Sequence, residues 1–290
     1  MNRAMQTLLT GMIDYAGLFP PAKKSMSDAL SAFNRARMGE DAFALSRFVC
    51  TASRLEELTE VGRMMMPGTY ATSGYREMAQ ASMSESWEIS AVLDGPIDEA
   101  MDRVLAFNER HASEEQGLAR VSAVEFLAKS PGEIEGALDA IPESMEAFVE
   151  VPQDVVIGGD PRGFIAAIAG EEGASAKIRC GGVKAEMIPP TDDVAAFIMA
   201  CSAANVSFKA TAGLHHPIRA EQALTYEADP PRAIMHGFVN VFVAAAMARG
   251  GKADASVVKA VLDETDASAF SFSDDGVRWR DLRRARELRA

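Results

Sequence analysis

The sequence predicts an α/β protein, a (β/α)8 barrel of parallel strands ringed by helices, forming a single domain over residues 1–290. Three observations lead there. Short β-rich runs alternate with longer segments of helical periodicity, the rhythm of parallel strands joined by crossover helices. The length of 290 residues suits one barrel, which typically needs about 250. No internal repeat, low-complexity linker or composition shift marks a domain boundary.

Seven strands are read at residues 44–50 (ALSRFVC), 88–93 (EISAVL), 119–126 (ARVSAVEF), 147–151 (AFVEV), 176–179 (AKIR), 206–211 (VSFKAT) and 269–273 (AFSFS). The eighth is read at 12–19 (MIDYAGLF); its alternative is a loop within an N-terminal covering segment, residues 1–40. Between the strands, segments 53–65, 96–111, 131–141, 161–169 and 192–204 repeat apolar residues every three or four positions, as half-buried helices require. Two further helices are read at 238–248 and 255–262. Asp160 before Pro161, and Thr191 before Asp192 and Asp193, are the capping and acidic first-turn residues that helix starts favour. The arginine-rich tail, residues 278–290, reads as a surface helix or a contact in a homo-oligomer.

Composition narrows the function. Apolar residues make up 48% of the chain and charged residues 24%, enough for a large core. A formal charge of −13 excludes non-specific nucleic-acid binding, which needs a basic face, and favours a small-molecule partner. The three cysteines have no CxxC spacing and fit a reducing cytoplasm. No run of roughly 18 apolar residues exists to span a membrane, and no export signal is read at the start, so a soluble cytoplasmic protein is expected.

Barrel enzymes carry catalytic groups where strands enter the following loops. Polar residues at such places are Asp94, Glu125, Glu150, Lys177, Arg179, Lys209 and the pair His215 and His216. Charges inside apolar strands are costly unless paired or used. A lysine buried beside a second cation loses proton affinity, leaving a neutral amine able to attack a carbonyl. Lys177 and Lys209, on successive strands, supply that arrangement, and either is able to form the imine. The alternative is a static layer in which each lysine pairs with Glu125 or Glu150.

Histidines supply a rival. Of four in the chain, His215, His216 and His236 cluster within a short stretch, with Asp14, Glu150 or Asp274 available to complete a divalent metal's ligand set. Without metal, a histidine serves as general acid and base, or closes a loop by hydrogen bonding. His236 and Asn240 are spaced one helical turn apart, so they either share a pocket-facing side or satisfy loop carbonyls. Cys180 is either a small packed residue or a thiolate whose pKa is depressed by the neighbouring cations.

The stretch 176–217, AKIRCGGVKAEMIPPTDDVAAFIMACSAANVSFKATAGLHHP, resembles the sixth-to-seventh strand region of class I deoxyribose-phosphate aldolases. That family has a lysine followed by small residues and glycine, a helix, and a Phe-Lys-Ala-like strand ending in a glycine turn. The resemblance implies that Lys177 is the Schiff-base lysine, that Lys209 is the second lysine that lowers its pKa, and that no cofactor is needed. The family's fourth-strand aspartate has no counterpart; Glu125 is the nearest acidic residue. Where the family binds a substrate phosphate, this chain has His215 and His216 after one turn and Asp274 and Asp275 after the last strand. The expectation is therefore a carbon–carbon lyase acting on a small, non-phosphorylated carbonyl compound, with a carboxylate held by Arg179 or His215. Glu125 or Glu150 would move protons, and Asp94, His236 and Asn240 would line the site. The alternatives are a metal-dependent lyase or hydrolase built on His215, His216 and His236, and a barrel that binds without catalysis.

Overall fold

The computed structural model describes residues 1–68, 85–251, 253–280 and 282–283. Its strands lie where alternating and continuous apolar runs place them: β1 (Ile13–Tyr15), β2 (Leu45–Thr51), β3 (Trp87–Val92), β4 (Ala119–Leu127), β5 (Glu146–Glu150), β6 (Ala174–Arg179) and β7 (Phe208–Thr211). These seven form one sheet in chain order. The ladders β1·β2, β2·β3, β3·β4 and β6·β7 are parallel. Helices fill the connections, including Ile97–Arg110, Arg162–Ile168 and Thr191–Ala203, so the α/β class with a parallel sheet holds.

The last strand of the expected barrel is a correction. Residues 269–273 do not join the parallel sheet: β10 (Phe270–Ser273) pairs antiparallel with β11 (Gly276–Trp279), which pairs in turn with β12 (Leu282–Arg283). The reason lies in the connection. Ser273 faces Gly276 across a two-residue turn, Asp274-Asp275, and only an antiparallel pair is joined that tightly. Gly276, at φ 143°, takes the backbone conformation a side chain would resist. Arg278 and Trp279, expected to begin a C-terminal helix, therefore lie in a strand. Residues 284–290 of that expected helix fall outside the described residues. At the other end, the weak stretch 12–19 contributes β1, three residues long.

The chain divides into two compact units, one of Leu9–Phe126 with Gly136–Ala147, the other of Met1–Leu8, Leu127–Glu135 and Phe148–Ala290. The first is organised around aromatic rings. Phe33, from helix Met26–Arg37, meets Phe48 of β2 at 5.3 Å and Trp87 of β3 at 5.4 Å, both edge to face, while Tyr15 stacks on Phe48 at 5.8 Å. Phe33, Phe48 and Trp87 are buried, and each such side chain contributes on the order of 1.5–3 kcal/mol. Ser25 caps that helix by accepting from Asp28 N–H.

In the second unit, helices Thr191–Ala203, Phe238–Arg249 and Ala255–Asp263 pack together through Phe197, Ile198, Val241, Ala244, Val258 and Leu262, all buried. Helix Phe238–Arg249 (FVNVFVAAAMAR) is apolar on nearly every side, the composition of a helix enclosed by others. Thr191, expected as an N-cap, is the first helical residue, and its hydroxyl instead accepts from Lys259 at 3.1 Å. The antiparallel pair β8 (Ala220–Ala223) and β9 (Arg232–Met235) was not anticipated. Among the described residues, no helix is long and apolar enough to cross a membrane.

Candidate functional site

The site is built on the second unit's strands. Phe208 of β7 packs edge to face on Phe197 of the covering helix at 5.5 Å. Strand side chains alternate, so Lys209 points to the opposite face of the sheet. The β6·β7 ladder pairs Lys177 with Lys209 and Arg179 with Thr211. Residues paired across a parallel ladder share a face, so Lys177, Lys209, Arg179 and Thr211 all project to the side away from that helix.

Glu150, the last residue of β5, reaches this group. Its Oε2 lies 2.6 Å from Lys177 Nζ, an ion pair whose side chains are 7% and 15% exposed for lysine and glutamate. Its other oxygen is 3.9 Å from Arg179 Nη1, an electrostatic contact rather than a hydrogen bond. Arg179 is 38% exposed, so accessibility rises along β6 toward its carboxyl end. Phe148, two residues before Glu150, lies under Lys209, with the ammonium 5.1 Å from the ring centroid. Four of the residues singled out from the sequence, Lys177, Lys209, Glu150 and Arg179, are thus brought together.

The loops leaving β6 and β7 meet through glycines. A Cβ on Gly181 would fall 2.9 Å from Gly213 Cα, and Gly213 itself has φ +73°. Only residues without side chains allow the two strand ends to approach this closely. Between them, Cys180 is fully buried, and that burial pushes its thiol up to about 12. The depressed thiolate that nearby cations would favour is therefore not what its surroundings produce; Cys180 packs as a small apolar residue.

His236 and Asn240 belong to a different cluster. The helix begins at Phe238, so His236 precedes it and the one-turn spacing does not apply. His236 is buried, and its Nε2 donates to Pro189 O at 2.7 Å while Nδ1 lies 3.5 Å from Arg219 Nη1. Burial first, and the Arg219 charge with it, hold its imidazole below the usual histidine value. Asn240 Nδ2 donates to Val261 O and Glu264 O, both at 2.8 Å, and its Oδ1 accepts from Arg219 N–H. Asn240 therefore satisfies loop carbonyls, one of the two roles its position allowed. Phe238 N–H and Val239 N–H donate to His216 O and Pro217 O, which pins the His-His-Pro segment to the start of that helix. Loss of hydration around the ring and then the adjacent His216 push the His215 imidazole down.

Glu125 and Asp94 lie in the first unit. Glu125 is buried and accepts from Ser90 Oγ at 2.6 Å. Asp94 accepts from the Ser53 N–H at 3.0 Å and from the Ser53 hydroxyl. Burial raises the Asp94 carboxyl, but those hydrogen bonds outweigh it and hold the group below the usual range. Among the described residues, no group of three or more His, Cys, Asp or Glu is placed to hold a metal ion.

Two residues of these clusters were not read from the sequence. Thr211 falls two positions after Lys209 and so shares its face, a relation visible from strand alternation. Arg219, which contacts His236 and Asn240 and lies 3.9 Å from Asp263, gave no such signal. No family model, curated protein or solved structure matches the chain.

Proposed function

We propose that the chain is a Schiff-base, aldolase-like carbon–carbon lyase on a (β/α)8-type barrel, acting on a small carbonyl substrate without phosphate. One observation carries the reading: Lys177 sits in register with Lys209 on the same sheet face, with the Glu150 carboxylate 2.6 Å from its amine.

Imine formation needs a neutral amine, and Glu150 is positioned to take the proton from Lys177 Nζ. Lys209, one strand away, places a second amine on the same face of the sheet. The freed amine adds to the substrate carbonyl, and loss of water leaves an iminium that draws electrons from the adjacent carbon–carbon bond. Glu150 gives that proton to the departing water, then takes one from the substrate's β-hydroxyl as the carbon–carbon bond breaks and returns it to the enamine carbon. The likeness of residues 176–217 to deoxyribose-phosphate aldolases assigns the two lysines the same roles. The 2.6 Å contact also suits a fixed strut inside a binding protein.

Borohydride trapping separates the two. With a panel of small aldehydes and ketones, peptide mass spectrometry is expected to locate a reduced adduct on Lys177 that disappears in Lys177→Met. Turnover of any carbonyl compound without an adduct on Lys177 or Lys209 would remove the imine mechanism.

A further inference from the structure

Other arginines with restricted access among the described residues find hydrogen-bond partners. Arg47, 23% exposed, donates to Glu146 at 2.9 Å and to Ser122 at 3.2 Å. Arg54, 35% exposed, donates to Glu57 at 2.7 Å. Arg179 differs: among the described residues its guanidinium makes no hydrogen bond, and its ion contact is the 3.9 Å approach to Glu150 Oε1. The nearer oxygen of that carboxylate is engaged by Lys177. A half-buried guanidinium has lost part of its hydration, and its planar fork of donors is suited to two parallel bonds with an oxyanion.

The neighbourhood extends this. Thr211 is the ladder partner of Arg179, so a hydroxyl and the arginine side chain leave the sheet on the same face from neighbouring strands. Among the described residues that hydroxyl has a single 3.4 Å contact, with Ile178 O, long enough to be given up for a charged acceptor. The pair Arg179 and Thr211 lies two residues beyond the pair Lys177 and Lys209, about 6.6 Å along the strands, toward the exposed end. A reacting tier and an anion-binding tier are thus stacked within the reach of one small molecule.

We infer that Arg179 and Thr211 form a carboxylate subsite, so that the substrate is a monoanionic oxo acid; this deepens, and rests on, the imine reading above. The charge of the anion is set by Glu150. Its carboxylate lies beside the guanidinium, so a dianionic phosphate ester meets roughly twice the repulsion that a carboxylate meets, with the same arginine to offset it.

Two measurements on the full chain, wild type and Arg179→Gln, test this. Calorimetric titration with lactate, which has no carbonyl, reads the anion subsite without imine chemistry; inorganic phosphate serves as the dianionic probe. Lactate is expected to bind wild type more tightly than phosphate does, and Arg179→Gln to weaken lactate about ten- to hundredfold, the worth of a charge-assisted pair. Cyanoborohydride trapping then compares pyruvate with hydroxyacetone. Pyruvate is expected to saturate at the lower concentration in wild type, and the variant to lose that preference while still trapping hydroxyacetone. Lactate binding that is absent, or equal in the two proteins, overturns the subsite, and tighter binding of phosphate overturns the carboxylate assignment. Arginine-dependent lactate binding without any trapped adduct sustains the subsite and removes only the imine reading. The side chain is 38% exposed and its one ion contact is long, so the variant is expected to fold as wild type does.

Discussion

Glu150→Gln preserves the side chain's volume and removes a counter-charge 2.6 Å from the Lys177 ammonium. Exposed ion pairs contribute about 0–1 kcal/mol, whereas removing one member of a buried pair costs about 3–5 kcal/mol because the remaining charge is poorly hydrated. The exposures here, 7% for Lys177 and 15% for Glu150, place this pair in the second class. Three features of the geometry set the size. The glutamine oxygen still accepts a hydrogen bond, and Glu150 is not completely enclosed, which both reduce the loss. Arg179, 3.9 Å from the lost carboxylate, adds repulsion that had been neutralised. The expected cost is about 3 kcal/mol, the lower end of the buried range. Urea unfolding followed by circular dichroism should then show the midpoint falling by about 1 M or more with an unchanged slope. Adding Lys177→Met removes the second charge and should restore most of the loss, giving a coupling energy of about 2 kcal/mol in the double-mutant cycle. Glu150→Gln with wild-type stability and no coupling would mean that the Lys177 charge is not desolvated. The case for a buried, tightly coupled Lys177–Glu150 pair would fail with it.

Other outcomes follow from the same contacts. Asn240→Ala removes a donor from Val261 O and Glu264 O and the acceptor of Arg219 N–H at a fully buried position, and should lower stability by about 2–4 kcal/mol in urea titration. Cys50, Cys180 and Cys201 are buried with thiols pushed up to about 12, so iodoacetamide near pH 8 should leave all three unlabelled until urea unfolds the chain. Labelling of any one at the rate of a free thiol would contradict that burial. His111 and His236 are both held low, by burial first, so the unfolded chain takes up protons before the folded one as pH falls. Stability should therefore decline below about pH 6.5, the unfolded value, until the folded values are passed, and His236→Gln should flatten the slope. An NMR titration in which either folded histidine protonates at or above the ordinary value would refute this.

Much of the architecture was legible because burial writes itself into strands as apolar runs and into helices as three- and four-residue spacing. The error at residues 269–273 shows what such a run omits. Phe270, Ser271, Phe272 and Ser273 alternate as a strand should, but alternation carries no direction; the following Asp-Asp-Gly turn does, and it demands an antiparallel return. Strand β1 was weak for another reason, since three residues are too few for a period of two to declare itself. For His236 and Asn240 two readings stood open because their spacing was counted across a helix start, where the rule that places residues on one face has not yet begun to apply.

The two lysines stood out because an ammonium within an apolar strand needs a reason, and that much is local chemistry. Their register is not local. A slip of one residue between β6 and β7 would put Lys177 and Lys209 on opposite faces, and nothing in either strand's composition forbids it. What fixes the alignment is packing at both ends of the ladder. Phe208 is held against Phe197 of the covering helix, and Gly213 is held against Gly181 where the strands become loops. The aromatic contact decides which face of β7 is covered, and the glycine contact decides how far β7 runs beside β6. Together they leave Lys209 opposite Lys177 and Thr211 opposite Arg179, so two structural contacts set the spacing on which both the imine and the carboxylate subsite depend.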